Sequence, residues 1–204
     1  MLPPDHPIVH QSFAIIDAEI GPHSFTAAEY AIVQRMIHST ADFSLKEQIY
    51  FSPSAIDRGI TALRQGLPIV TDVTMVRQGV SNLAKQGFGN TLVAAIDHGD
   101  TPAPGKTRTE TGMNYCISRY PQALYVIGNA PTALLTLCEA IDQGRSAPAL
   151  VIGVPVGFVA VTESKAALAA LSVPQIRVDG RKGGSPVAAA IVNALIRLAL
   201  SPTP

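Results

Sequence analysis

The sequence predicts an α/β protein with a single-domain, three-layer, doubly wound fold and a mostly parallel sheet. Short apolar runs alternate with helical patterns along the chain, which is typical of this class. The runs are continuously apolar, as expected for strands that helices cover on both faces. The length of 204 residues suits one domain over residues 1–204, in which we expect residues 201–204 to fray.

Each predicted strand is followed by a predicted helix. The strands are QIYF (48–51), LPIVTDV (67–73), TLVAAIDHG (91–99), ALYVIGN (123–129), PALVIGV (148–154) and QIRVDG (175–180). The helices lie in SPSAIDRGITALRQG (52–66), a segment ending near NLAKQG (82–87), TRTETGMNYCISRY (107–120), APTALLTLCEAIDQG (130–144), TESKAALAALS (162–172) and SPVAAAIVNALIRLAL (185–200). In the first of these helices, Ser52 suits the N-cap and Pro53 the first helical position.

A further helix precedes the first strand and ends within QRMIHSTADF (34–43). Its apolar stripe consists of Ile32, Val33, Met36 and Ile37. Arg35 and His38 lie one turn apart on the neighbouring face. Because a helix C-terminus favours positive charge, this pair is either a helix-end feature or part of a site.

The composition excludes several classes of partner. Apolar residues make up 47% of the chain and charged residues 15%, with a formal net charge of zero, so no basic field is available for nucleic acid. The apolar run 148–161 is shorter than the ~20 residues of a membrane helix. The N-terminus lacks the basic segment followed by an apolar segment that is typical of a signal peptide. Cys116 and Cys138 lie in apolar helical patterns, which indicates reduced core thiols. We therefore expect a cytoplasmic protein that binds neither nucleic acid nor membrane.

The common nucleotide and nucleophile motifs are missing. The chain contains no GxGxxG fingerprint, no GxxxxGK[ST] phosphate loop and no GxSxG nucleophile elbow. Asp97, His98 and Asp100 are candidate metal ligands, but three neighbours in one loop close poorly around an ion, so a solvated turn is favoured and no metal site is predicted.

Several cations lie where a doubly wound fold binds its ligand, in or near the loops beyond the carboxyl ends of the strands. They are Arg77, Lys106, Arg108, Arg181 and Lys182. Arginine forks match carboxylates, and the main-chain N–H groups of GRKGG (180–184) are suited to an anion. This pattern predicts a small ligand with several carboxylates, although a surface salt bridge is an equally good interpretation of any single arginine.

Five segments resemble the precorrin-8X methylmutase family. They are RMIHSTADF (35–43), LPIVTDVTMV (67–76), YVIGNAPTALL (125–135), PALVIGVPVGFVAVTESKAAL (148–168) and GRKGGSPVAAAIVNAL (180–195). The segment GKTRTETGM (105–113) also resembles the family's G-x-T-R-S pattern, with Thr109 in place of serine. The likeness runs from Ile8 to Leu198.

The resemblance implies an isomerase of cobalamin biosynthesis. The family moves a methyl group from C-11 to C-12 of a ring-contracted tetrapyrrole by a [1,5]-sigmatropic shift, giving hydrogenobyrinic or cobyrinic acid. Such a shift needs a macrocycle held in one shape and one acid–base group, but no cofactor, and cobalt enters only if the substrate carries it. The family also implies a homodimer with substrate sites near the interface, which agrees with the high apolar content.

The resemblance also implies roles for individual residues. His38 matches the catalytic histidine, and a histidine with an ordinary pKa of about 6.5 can donate and accept a proton near neutral pH. Ser12, Arg35 and Arg108 match substrate contacts. Four more residues in family-like loops are candidates for binding the substrate: Arg77, Asn129, Arg181 and Lys182. For Asn129 a structural turn is the alternative, and for the pair Glu163 and Lys165 a capping role is as good as a substrate contact.

Two other functions remain to be separated from the isomerase. One is a non-catalytic corrinoid carrier, which would bind the tetrapyrrole without turnover. The other is a nucleotide-binding α/β domain, which the missing phosphate motifs disfavour.

Overall fold

The computed structural model describes residues 6–201, within which the chain forms eight α-helices, two 3₁₀ helices and one six-stranded sheet. The helices are α1 (Pro7–Glu19), α2 (Ala27–Thr40), α3 (Ala55–Arg64), α4 (Thr74–Gln86), α5 (Arg108–Arg119), α6 (Pro131–Asp142), α7 (Val161–Ala169) and α8 (Ser185–Leu200). The strands are β1 (Ile49–Phe51), β2 (Ile69–Thr71), β3 (Leu92–Ala94), β4 (Leu124–Ile127), β5 (Leu150–Gly153) and β6 (Gln175–Val178). The 3₁₀ helices are Phe43–Glu47 and Ala95–His98. Of the tail predicted to fray, residues 202–204 lie outside the described residues.

The sheet has the strand order β1-β6-β5-β4-β2-β3. Strands β2 to β6 are parallel, and β1 joins β6 in the antiparallel sense. The prediction of an α/β fold with a mostly parallel, doubly wound sheet is therefore confirmed.

Helices cover both faces of the sheet. Along β4, Leu124 and Val126 pack into a core with α3, α4 and α8, whereas Tyr125 and Ile127 pack into a second core with α5 and α6. This alternation is the period of two that a strand imposes on its side chains. Helix α2 packs on the outside of α8, and α1 packs on α2 through Ile16 and neighbouring apolar residues.

The helix predicted within residues 52–66 begins later than the sequence suggests. Ser52 does not cap it, because its Oγ accepts the main-chain N–H of Gln175 at 2.9 Å, next to the antiparallel pair of β1 and β6. Helix α3 begins instead after Ser54, which has a left-handed backbone with φ of 60°. Strand pairing thus takes the hydroxyl that the local pattern assigns to a cap.

A buried carboxylate joins the ends of β2 and β4. Asp72 follows β2 directly, and its side chain accepts the N–H groups of Gly128, Asn129 and Ala130 at 3.1, 2.7 and 2.6 Å. These N–H groups lead into helix α6, whose own N-cap residue supplies no side-chain acceptor. Burial raises the pKa of the Asp72 carboxyl, and the main-chain hydrogen bonds oppose that rise.

Helix α5 packs closely on the 3₁₀ helix that follows β3. A Cβ atom added to Gly112 would lie 1.7 Å from the carbonyl oxygen of Ala95, and one added to Gly99 would lie 2.0 Å from the carbonyl oxygen of Arg108. Helix α5 starts with a capping box in which the Thr107 hydroxyl and the Glu110 carboxylate each accept the other residue's main-chain N–H. These contacts fix the position of Arg108, the first residue of α5.

Candidate active site

The C-terminal end of α2 presents a histidine that is held by helix α1. The Oγ of Ser12 lies 2.7 Å from Nδ1 of His38, within hydrogen-bond distance. The rings of Phe13 and His38 form a T-shaped pair with their centroids 5.4 Å apart. The Arg35 guanidinium lies over the Phe13 ring, 5.2 Å from its centroid. Three residues that the resemblance singles out, Ser12, Arg35 and His38, therefore lie together.

His38 stands over a groove between α2 and the first turns of α8, which we call the His38 groove. It has a volume of about 280 Å³. It is lined by Arg35, His38, Ser39, Pro186, Ala189, Ala190 and Asn193. The groove is lined by small side chains of α8 on one side and by Arg35 and His38, a guanidinium and an imidazole, on the other.

Asn193 is a polar residue of this groove that the sequence analysis missed. Its Nδ2 donates to the carbonyl oxygen of Gly79 at 2.9 Å, and its buried Oδ1 accepts no hydrogen bond from any residue between 6 and 201. The available signal was a lone asparagine within the apolar run VAAAIVNALIRLAL of α8.

Two of the predicted rim arginines are paired with acidic residues of the chain itself. Arg77, in the first turn of α4, forms an ion pair with Asp97. Arg108, the first residue of α5, lies 2.5 Å from Asp100, and its side chain is half-exposed. The alternative interpretation, a surface salt bridge, thus describes both arginines in the structure.

Arg181 and Lys182 lie on the loop between β6 and α8, residues 179–184, which we call the β6–α8 loop, whereas Lys106 precedes α5 and lies 3.8 Å from Glu110. Lys182 donates from Nζ to Asp42 at 2.7 Å and to the hydroxyl of Ser44 at 2.6 Å, just beyond the end of α2. The exposed Arg181 lies with its guanidinium 5.7 Å from the centroid of Phe158. The N–H of Gly184 donates to Val154 at 2.8 Å, so this part of the predicted anion site is already engaged.

Asn129 lies exposed at the carboxyl end of β4, where its main-chain N–H belongs to the Asp72 cluster. The structural-turn interpretation therefore accounts for the backbone of this residue. Its side chain lies on the same edge of the sheet as the β6–α8 loop.

The side chains first considered as metal ligands have other partners. Asp97 pairs with Arg77, Asp100 pairs with Arg108, and the His98 ring stacks on Tyr115 at 4.3 Å. Within residues 6–201, no group of three His, Cys, Asp or Glu side chains is arranged to hold a metal ion.

Large apolar side chains are exposed beyond the carboxyl ends of β2 and β5. Phe158 and Val159 are 83% and 84% exposed, and Met75 and Val156 are also exposed. An apolar surface bordered by Arg181 suits a ligand with an apolar ring and peripheral carboxylates.

Lys165 is neither a capping partner nor an exposed contact. Helix α7 begins after Ala160 without a side-chain cap, and Lys165 is buried beneath the β6–α8 loop.

Cys116 and Cys138 are buried free thiols, as predicted, and burial raises the pKa of each to about 12. Over the described part of the chain, no helix combines the length and the apolar character needed to cross a membrane.

Comparison with known proteins decides the family. The profile of the precorrin-8X methylmutase family matches residues 7–198. The chain belongs to this family. It is 55% identical to cobalt-precorrin-8 methylmutase of Synechocystis sp. over 98% of each chain, and 40% identical to precorrin-8X methylmutase of Pseudomonas aeruginosa over 92% of this chain and 93% of the other. A crystal structure of precorrin-8X methylmutase from Thermus thermophilus matches with a TM-score of 0.88 and 43% identity, covering 94% of this chain and 95% of that one.

Membership of the precorrin-8X methylmutase family settles the class of function. The protein is a methylmutase, an isomerase of cobalamin biosynthesis, as the family resemblance implied. The relatives that match it over nearly their whole length are named as methylmutases, and none of these matches favours a non-catalytic carrier.

Proposed function

We propose that His38 is the acid–base residue of a methyl shift from C-11 to C-12 of precorrin-8X or cobalt-precorrin-8, and that the product is hydrogenobyrinic or cobyrinic acid. The observation that carries this proposal is the 2.7 Å contact between Ser12 Oγ and His38 Nδ1 at the wall of the His38 groove. Relatives of both names match the chain, so either form of the substrate fits the family.

The Ser12 contact suits a histidine that changes its protonation state. A serine hydroxyl can either donate or accept a hydrogen bond, so Ser12 can keep its partner when Nδ1 of His38 gains or loses a proton. With Nδ1 bound to Ser12, Nε2 is left to face the substrate. Phe13, whose ring lies at 78° to the imidazole, restricts rotation of that ring.

The shift itself is intramolecular and balanced. The bond between C-11 and the methyl carbon breaks while the bond between C-12 and that carbon forms, and the conjugated double bonds rearrange between them. No proton is consumed overall. A proton that His38 places on the ring system favours migration, and its return to His38 fixes the tautomer of the product.

The rim cations are suited to the carboxylates of the substrate in spite of their present partners. Arg77, Arg108 and Lys182 are each paired with an aspartate, but an exposed ion pair is typically worth only about 0–1 kcal/mol. Exchange of an aspartate for a substrate carboxylate therefore costs little. We propose this exchange for the three cations and a direct contact for Arg35, Arg181 and the side chain of Asn129.

We further propose that the chain acts as one domain over residues 1–204 and as a homodimer. Exposed apolar residues on α1, Ile8 and Ile15, and on the loop after β5, Phe158 and Val159, support a buried subunit contact. The cytoplasmic location expected from the sequence stays a prediction.

The central test replaces His38 by alanine. The His38→Ala protein should fold normally, bind the corrin product and lose about 10²–10⁴-fold in single-turnover rate, which is the usual contribution of general acid–base catalysis. The measurement is the change in the visible spectrum as substrate becomes product, with circular dichroism as the folding control. His23→Ala is a matched control, because His23 is exposed and stacks on Tyr30 at 4.5 Å, outside the groove.

The two functional readings separate in this experiment. A folded His38→Ala protein that isomerises within about threefold of the parent rate would show that His38 is only a helix-end cation. A parent protein that binds the corrin but shows no turnover under any condition would favour the carrier.

A further inference from the structure

Lys165 lies buried under the β6–α8 loop and holds two of its carbonyl groups. The residue is 2% exposed. Its Nζ donates to the carbonyl oxygen of Gly180 at 2.8 Å and to that of Lys182 at 2.7 Å. Because the carbonyl groups on either side of Arg181 are drawn inward, the Arg181 side chain is left on the exposed face.

The loop is rich in glycine, and its first residue, Asp179, is bound through its N–H to the carbonyl oxygen of Gln48 at 2.8 Å. Gly180, Gly183 and Gly184 all have positive φ, which glycine adopts readily, and glycine loses more conformational freedom on ordering than any other residue. Two main-chain bonds tie the loop to the chain after β5: Gly184 to Val154 at 2.8 Å and Gly157 to Arg181 at 3.3 Å. Lys165 adds side-chain bonds to two carbonyl groups in the middle of the loop.

The loop also connects to the helix that carries His38. The Lys182 side chain bonds to Asp42 and Ser44, which follow the end of α2. A displacement of residues 180–182 would therefore move Lys182, which we propose binds a substrate carboxylate, and would also break its bonds to the segment that follows α2.

A buried charge in this position requires an explanation other than packing. Burial lowers the pKa of Lys165 to about 8, and the carboxylate of Asp179 opposes that change. A methionine would fill the same space without the cost of desolvating an ammonium group. What methionine lacks is the set of N–H donors that two converging carbonyl groups require.

We propose that Lys165 is a positioning residue of the methylmutase, which fixes the β6–α8 loop so that Arg181 and Lys182 meet carboxylates of the substrate. The proposal rests on the function proposed above for Arg181 and Lys182. Lys165 itself touches no reacting atom, so it acts on substrate binding and leaves the methyl shift to His38.

The test compares Lys165→Met with Lys46→Met in the full chain. Lys46 is a matched control, because its Nζ also donates to a main-chain carbonyl, that of Ile20 at 2.6 Å, but lies outside the loop. Lys165→Met should weaken binding of the corrin product about tenfold or more in an absorbance titration. The single-turnover rate at saturating substrate should stay within threefold of the parent rate, and Lys46→Met should match the parent in both measurements.

Loop order is measured separately by trypsin, which cleaves after Arg181 and Lys182. Lys165→Met should be cut at these two positions faster than the parent protein, as located by the masses of the fragments. Lys165→Gln, which keeps one donor group and is shorter by one atom, should fall between the parent and Lys165→Met in both affinity and cleavage. It also serves as the test if Lys165→Met does not fold.

The outcomes separate this inference from the proposed function. A folded Lys165 variant with parental affinity and parental cleavage overturns the inference, and so does a variant that loses turnover rate but not affinity. If Arg181→Ala and Lys182→Ala bind product like the parent, the proposed roles of those cations fail, and only the faster cleavage of Lys165→Met would still support its hold on the loop.

Discussion

Gly112 offers a sharp test of how α5 is held, because helix propensity and packing predict opposite effects there. Alanine is the better helix former by about 1 kcal/mol, so Gly112→Ala would stabilise an isolated helix. In the folded protein, however, the new Cβ would lie 1.7 Å from the carbonyl oxygen of Ala95. That oxygen belongs to the backbone of the 3₁₀ helix after β3, so no side-chain rotation can relieve the contact.

The size of the effect follows from this distance. Helix α5 and the 3₁₀ helix must separate by about 1.3 Å before the contact reaches the 3.0 Å below which real Cβ atoms are essentially never found. Overpacking of a core usually costs about 1–3 kcal/mol, and more where backbone has to move. After the gain in propensity, we expect a net loss of about 2–3 kcal/mol in the free energy of unfolding. For a chain of this length, that corresponds to a melting temperature lower by about 5–10 °C.

The assay is thermal and urea unfolding followed by circular dichroism. Gly59→Ala is the matched control, because Gly59 also lies within a helix, but its nearest neighbour is the end of the Leu150 side chain at 2.9 Å. A leucine can change its rotamer, so this variant should stay within about 1 kcal/mol of the parent. If Gly112→Ala unfolds at or above the parental midpoint, the close packing of α5 on the 3₁₀ helix is wrong.

Three further predictions concern the site, the buried lysine and the assembly. Ser12→Ala should slow single turnover by about 2- to 10-fold, because one hydrogen bond to His38, worth about 0.5–1.5 kcal/mol, is lost; an unchanged rate would contradict a role for Ser12 in holding the ring. Between pH 8 and 10.5, Lys165 has lost its proton in the folded chain but keeps it in the unfolded chain. The free energy of unfolding of the parent should therefore rise with pH relative to that of Lys165→Met, by at most about 1.4 kcal/mol per pH unit. Urea unfolding at pH 8 and pH 9.5 checks this, and a flat or falling difference would mean that the ammonium is not buried. Sedimentation at micromolar concentration should show one species of twice the chain mass, whereas a monomer that turns over substrate would exclude the proposed homodimer.

The fold could be predicted from the sequence because its signals are local. Continuous apolar runs such as those of β4 and β5 identify buried parallel strands, and the helices between them follow from periodicity. The start of α3 could not be predicted in this way. Ser52 has the right type and spacing for a cap, but a residue distant in sequence, Gln175, takes its hydroxyl.

The site was only partly visible in the sequence for the same reason. Arg35 and His38 share a helix face, so their proximity follows from spacing alone. Ser12 is separated from His38 by 26 positions, so no local pattern predicts their contact. Only the family resemblance assigned both residues to one site. The partners of Arg77 and Arg108 and the burial of Lys165 depend on tertiary contacts, which no local pattern contains.

The carboxylate at the end of β2 has a consequence for what this fold can bind. Helices α4 and α6 leave the sheet on opposite faces, so the gap between β2 and β4 is the crevice in which many doubly wound proteins place a phosphate, against the N-terminus of a helix. Here a side chain of the protein takes that place: the Asp72 carboxyl group occupies the three N–H groups that lead into α6. A phosphate would have to displace this buried carboxyl group. The crevice is therefore closed to a phosphate, and an anionic ligand is left to the cations and apolar side chains that border the same edge of the sheet.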